Sequence, residues 1–326
     1  MKLKKTIATT TLLLMSVACE FDEYRNKVPK QRLMGALKGV CALTADQERA
    51  VAACYYNEQG QFEPRMRCFD ATNGQLISVC PFALTGSWTV EAVAPDFEDT
   101  DEFWSLHANG YRINWTENFG VTGFDAPIPA NMVPGLTSRM YFDMDIGKDG
   151  TVYITALDRT ADSDATYLYR KAPGGLWARE TVLNANGFAL MNKECQVDHD
   201  DLSGTTLVLD VDTCTVYRFD GLQPVGSIDL PPACGVGQAG YSDIATYGDF
   251  MTVSTYSLGP NGGKLFEINA VTGEVTDESL FGRPEALAIK APLLDGQSGE
   301  ISVFVTGLDY SPGKYAMVEL TLKPSD

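Results

Sequence analysis

One pattern returns along this chain at a step of about fifty residues, and it limits the possible folds more than any other feature. An aromatic-bearing strand followed by a glycine turn reads MRCFDATNGQLIS at 66–78 and YLYRKAPGGLWARE at 167–180. It reads TVYRFDGLQPVGS at 215–227, KLFEINAVTGEVT at 264–276 and, in weaker form, YAMVELTLK at 315–323. The key positions Phe69, Tyr169, Tyr217, Phe266 and Val318 are separated by 100, 48, 49 and 52 residues. The first interval holds two units, with Phe119 at its midpoint.

Before each copy lies a run rich in β-branched or small apolar residues: 50–53, 151–155, 206–210, 251–255 and 301–306. Before that comes a short strand leading into a polar turn, as in YFDMDIGKDG at 141–150 and CQVDHDDLSG at 195–204. Such segments read as strands, and no long stretch has a helical period. Four short strands per fifty residues describe a β-propeller blade. Residues 36–326 hold six units, at 36–85, 86–137, 138–187, 188–237, 238–284 and 285–326. A jelly roll or a pair of sandwiches would not repeat in this way. The expected fold is all-β, a six-bladed propeller of four-stranded blades. The last unit ends after its third strand, at Leu322, and an open edge invites pairing with another chain. Residues 26–36 are expected to supply the missing outer strand and close the ring.

The chain has 44% hydrophobic residues, enough for a packed core, and a net charge of −18. Nucleic acid or an anionic lipid surface would need a basic footprint, so neither is expected as a partner. Only two histidines are present, His107 and His199, which leaves little room for a His-rich metal site.

The N-terminus combines Lys2, Lys4 and Lys5 with a short apolar stretch from Ile7 to Val17. That is secretory signal chemistry, too short for a membrane span. Ser16-Val17-Ala18-Cys19 resembles the bacterial lipoprotein signal, in which the cysteine is lipidated. The alternative is ordinary cleavage near Ala18, with Cys19 playing no part. Residues 1–18 read as the signal, 19–35 as a tether containing the closing strand, and 36–326 as the propeller. Loss of 1–18 removes three lysines and no acid, taking the charge from −18 to −21. Glu20 after Cys19, in place of an inner-membrane retention Asp, points to the outer membrane, so the lipid anchor is the expected membrane contact.

Export would place the cysteines in an oxidising compartment. Besides Cys19 they are Cys41, Cys54, Cys68, Cys80, Cys195, Cys214 and Cys234. Hairpin geometry favours 41–54 and 68–80; joining 54 to 68 also satisfies strand adjacency. Cys195, Cys214 and Cys234 would share one bridge and leave one thiol.

Pro284-Glu-Ala-Leu-Ala-Ile289, together with LFEINAVTGEV at 265–275, resembles the six-bladed propellers of the NHL-like and TolB-like group. The likeness spans about four of the six blades. It implies a fold shared by lactonases, peptide or protein binders and periplasmic envelope factors. The lactonases of this superfold hold a central metal with Glu, Asp and Asn ligands. Here Asp143, Glu194, Asp243 and Glu285 fall near the starts of inner strands, where a carboxylate ring would suit Ca²⁺. No Asn occupies the comparable positions. Ca²⁺ is the one cofactor considered; otherwise none is expected.

Other motifs carry less. Gly235-Val-Gly237-Gln-Ala-Gly240 has dinucleotide-loop lettering, but strand-like sequence follows where a helix is required. The stretch from Asp145 fails as a calcium loop, because Gly147 and Ala156 occupy ligand positions. Asp149-Gly150 is hairpin chemistry, and Asp198 to Asp201 reads as a solvated turn. The tryptophans read as blade packing, with Trp104 and Trp115 as the two that deserve testing for ligand contact. No Gly-x-Ser-x-Gly or His-Glu-x-x-His occurs. The functional expectation is an exported, lipid-anchored platform that binds an envelope protein or small ligand. The alternatives are a metal-dependent lactonase-like hydrolase and a structural envelope protein.

Overall fold

In the computed structural model the described residues are 30–36, 38–46, 48–56, 61–97, 101–182, 194–211, 213–230, 241–255, 263–280, 283–290, 301–308 and 315–322. They form six four-stranded antiparallel sheets and, apart from two single 3₁₀ turns, no helix. Blade one contains β2 (Lys38–Ala45), β3 (Arg49–Tyr56), β4 (Phe62–Asp70) and β5 (Leu76–Val79). Blade two contains β6 (Val90–Pro95), β7 (Glu102–His107), β8 (Arg112–Thr116) and β9 (Val121–Asp125). Blade three contains β10 (Leu136–Ile146), β11 (Val152–Thr160), β12 (Asp164–Lys171) and β13 (Ala178–Thr181). Blade four contains β14 (Cys195–Asp200), β15 (Thr205–Asp210), β16 (Thr215–Asp220) and β17 (Gln223–Asp229). Blade five contains β18 (Tyr241–Tyr247), β19 (Phe250–Thr255), β20 (Lys264–Asn269) and β21 (Val275–Leu280). Blade six contains β22 (Arg283–Lys290), β23 (Ile301–Leu308) and β24 (Tyr315–Leu322).

The fourth strand of blade six is β1 (Lys30–Ala36), from the other end of the chain. It pairs antiparallel with β24, from Lys30 opposite Thr321 to Ala36 opposite Ala316, with one irregularity between Leu33 and Gly35. The first strands of successive blades touch in the cycle β2, β6, β10, β14, β18, β22 and back to β2, so the ring is closed.

The core is six wedges between blades. Phe69, Ala50 and Ala52 meet Phe304 and Met317 between blades one and six. Equivalent clusters fill the other five interfaces. This explains the apolar second strands. On β15, Leu207 and Leu209 face blade five while Val208 faces blade three. Both faces of the strand are buried, so the usual alternation of apolar and polar residues gives way to a continuous run. Phe69, Tyr169, Tyr217 and Phe266, the repeating aromatics, are all buried.

Blade two departs from the pattern. Its third strand carries Asn114 at the centre, opposite Trp104. Phe119 lies in the turn after β8, with φ of 59°, and packs edge-on against Phe103 at 5.7 Å. Gly110, in the turn before β8, has φ of +82°, and a Cβ there would lie 2.3 Å from the Tyr141 hydroxyl of blade three. Glycine is required on both counts. In blade three a buried Asp158 accepts from Arg139 Nε at 2.5 Å and Nη2 at 2.9 Å, while Arg139 Nη1 donates to the Ile128 carbonyl at 2.9 Å. That bidentate pair pins the connection between blades two and three.

The expected cysteine pairing in blade one is corrected. Cys54, Cys68 and Cys80 are buried thiols, as is Cys195 in blade four. Cys54 Sγ donates to the Ala52 carbonyl at 3.7 Å, and burial pushes the Cys68 thiol up to about 12. Cys68 and Cys80 point into the wedge against blade two, where the bulk of a thiol packs like a small apolar group. Hairpin proximity therefore does not translate into 41–54, 68–80 or 54–68 bridges. Cys214 is disulfide-bonded, to a partner outside the described side chains. Cys19, the Cys41 side chain, Cys234 and the 235–240 glycines also lie outside them; the chain after those glycines enters strand β18.

If β1 closes the ring, a chain beginning at Lys30 will melt like the full-length chain. A chain beginning at Lys38 leaves the β24 edge unpaired. It is expected to lose its single cooperative transition or to self-associate, read by calorimetry and light scattering.

Candidate functional site

Each first strand is paired on one side only, so its channel-side edge presents backbone N–H groups that need acceptors. Aspartates from the neighbouring blade supply them. Val197 N–H donates to Asp143 Oδ2 at 2.8 Å and His199 N–H to Asp145 Oδ2 at 2.7 Å, joining β14 to β10. Leu287 N–H donates to Asp243 Oδ2 at 2.7 Å, joining β22 to β18. Between blades four and five, the Thr246 hydroxyl donates to Asp198 and Gly248 N–H donates to Asp200 at 2.8 Å. Lys148 N–H reaches Asp201 of blade four at 2.7 Å. The segment 198–201 is therefore a set of ties among three blades, which corrects its reading as a solvated turn.

Four of these carboxylates, on Asp143, Asp145, Asp198 and Asp243, lie close enough to influence one another. All are half-buried. Burial is the main cause in each case and lifts Asp145 and Asp243 to about 7. Asp143 rises by burial and then by the Asp243 charge, and Asp198 by burial and then by Asp145. The backbone N–H bonds pull back against this rise. Of the four residues expected in a metal ring, the structure brings Asp143 and Asp243 together. Glu194 is exposed just before β14, where it helps raise Glu91 of blade two after burial has done so. Glu285 lies on β22, its side chain outside the described set. Among the described residues no three His, Cys, Asp or Glu side chains are arranged to hold a metal ion. The donor chemistry agrees: Asp143, Asp145 and Asp243 each spend both oxygens on backbone N–H groups.

Both histidines are engaged. His107 is fully buried, with Nδ1 at 2.9 Å from the Trp88 carbonyl and Nε2 at 2.8 Å from Ser105 Oγ. Trp115 donates to the same Ser105 at 2.8 Å and is buried, so it belongs to the wedge and offers no ligand surface. His199 stacks on Tyr153 of blade three at 4.5 Å.

Trp104 has a different role. It lines a cleft of about 310 Å³ between blades two and three, with Phe97, Arg112, Asp125 and Lys171 among its walls. Arg112 is 2% exposed and packs against two indoles, 5.5 Å from the Trp104 ring centre and 5.3 Å from that of Trp177. Its Nη2 donates to Asp125, whose Oδ2 is also 3.4 Å from Lys171 Nζ. Its Nε has no hydrogen-bond partner. Burial lowers the Arg112 pKa and Asp125 draws it back up. Asp96 on the same wall accepts from Trp104 Nε1 at 3.0 Å and Asn114 Nδ2 at 2.9 Å. Trp104 was legible as a candidate; Arg112, Asp125 and Lys171 were not, because they are spread over sixty residues and two blades.

No protein-family model and no curated protein sequence matches the chain. Solved structures do. The calcium-binding protein regucalcin from Agrobacterium tumefaciens is 14% identical, with a TM-score of 0.60 over 91% of this chain and 96% of that one. A luciferin-regenerating enzyme is 13% identical, with a TM-score of 0.58 over 91% and 96%. The β-propeller domain of Cps50 (Swd1) from Myceliophteria thermophila is 8% identical, with a TM-score of 0.51 over 91% and 100%. At such identities the likeness establishes the propeller fold.

Because Asp145 and Asp243 titrate near 7 in the folded chain and near 4 when unfolded, the folded state holds extra protons between those values. The stability this adds is lost as pH rises through 7. The two histidines, both lowered by burial, act oppositely below about 6.5. Asp143 and Asp198 act in the same direction. Between pH 6.5 and 8.5, where the histidines no longer oppose it, the loss from Asp145 and Asp243 is expected to reach about 1–2 kcal/mol. Denaturant melts of the wild type, Asp145→Asn and Asp243→Asn will check this; each variant should flatten the slope above pH 6.5.

Proposed function

We propose that this chain is an exported propeller, anchored through a lipidated Cys19, that binds a small ligand in the cleft between blades two and three. The observation that carries this reading is Arg112, a buried cation packed against two indoles at the wall of an open cleft. Keeping a guanidinium out of water is costly, and structural pairing with Asp125 leaves its Nε unused. Phe97, 37% exposed at the rim, adds apolar surface of the kind that ligand sites present. The lipoprotein-type N-terminus supports the export half of the reading.

The runner-up is a calcium-dependent hydrolase working in the channel. Regucalcin is described as calcium-binding and shares the fold, and Asp143 and Asp243 do approach each other. Their engagement with backbone N–H groups favours the tie over the metal. A melting point raised by Ca²⁺ and returned by EDTA would reverse that order.

Two outcomes are expected. Ala172→Phe, which fills the cleft, should abolish saturation-transfer signals from fragment ligands without lowering the melting point. Cys19→Ala should move the protein from the membrane fraction to the soluble fraction; unchanged fractionation would refute the anchor.

A further inference from the structure

The cleft's ligand class can be read from its charges. Two cations, Arg112 and Lys171, converge there on one carboxylate, Asp125. The other wall acid, Asp96, is occupied by Trp104 and Asn114. Asp125 is 36% exposed at the end of β9, whereas Arg112 is buried. The anion is thus the solvated, replaceable member of the trio, and the guanidinium is the fixed one. The guanidinium packs against two indoles, and its Nε is without a partner. The same geometry offers a ring-sized apolar strip, because Trp104 and Phe97 line the cleft beside the cations.

We infer that the cleft takes a small anion carrying a planar apolar ring. The anionic head sits on Arg112 and Lys171, displacing Asp125 outward, and the ring lies along Trp104 and Phe97. This rests on the cleft being the ligand site, and it adds the chemistry of the occupant. A resident carboxylate that competes with the ligand also predicts an effect of opposite sign from ordinary site mutations. Removing its charge should tighten binding, because a charge-assisted contact in a partly desolvated site is worth more than a neutral one.

The test uses the intact chain with benzoate and phenyl phosphate as anionic probes. Benzyl alcohol serves as the neutral ring and acetate as the ringless anion, all read by tryptophan fluorescence and calorimetry. The expected result is saturable binding of an aromatic anion, with acetate and benzyl alcohol weaker by about tenfold or more. Lys171→Met should weaken the anion by about tenfold and Asp125→Asn should tighten it several-fold. Arg112→Met is informative only if its melt is unchanged; Lys171→Met, at a partly exposed position, keeps the test independent of folding. If benzyl alcohol binds as well as benzoate and Lys171→Met changes nothing, the anionic class is wrong while the cleft remains a ligand site. If no probe gives a signal that Ala172→Phe removes, both readings fail.

Discussion

The channel edge of each first strand is the constraint around which this ring is organised. A strand paired on one side leaves a row of N–H groups facing the axis, and no further strand can enter to satisfy them. In blades three to six the answer is a carboxylate reaching across from the preceding or following blade. Asp143, Asp145, Asp200, Asp201 and Asp243 each take a backbone N–H of a neighbour. The bonds run between blades, so they fix angular spacing as well as saturating donors. They also force half-buried like charges into one neighbourhood, which is why these carboxylates are raised and why a metal-ring reading was natural from the chain alone.

The wedges between blades do the complementary work. Burial there gives most of the favourable free energy, but hydrophobic contact is tolerant of small rotations. The polar ties near the axis and the Arg139–Asp158 pair further out are directional. Together they turn a stack of greasy sheets into a ring with one set of blade angles. The cleft beside Trp104 lies where this regularity lapses: blade two places Asn114 at the centre of its third strand where blades four and five place Tyr217 and Phe266, and its wall opens toward blade three.

What was readable in the chain follows from this division. Wedge packing leaves a periodic trace, so Phe69, Tyr169, Tyr217 and Phe266 announced the blades, and the incomplete last unit announced the closing strand. Contacts between blades leave no local trace. Asp143 and Val197 are fifty-four residues apart, and nothing near either names the other. Arg112 reads as an ordinary charged residue at the start of a strand; only the fold brings Trp177 of blade three against it. The blade-one cysteines misled for the same reason. Strand adjacency sets which residues are near, but face and register decide whether two sulfurs meet: Cys54 faces blade six while Cys68 faces blade two, and Cys68 lies opposite Ser78 while Cys80 bonds to Met66.

The β1–β24 pairing has a consequence for how the ring is made. Among the described strands, β1 must wait for β24, nearly three hundred residues later, before its hydrogen bonds exist. Contacts of such sequence separation are slow to form, since the chain's configurational entropy is lost before they give anything back. Blades one to five can zip locally, each from its own hairpins, while blade six stays a three-stranded sheet with a bare edge. Completion of the ring is therefore expected to be the latest event, and it reports on all six blades at once: Lys30 comes opposite Thr321 only when every wedge is in register.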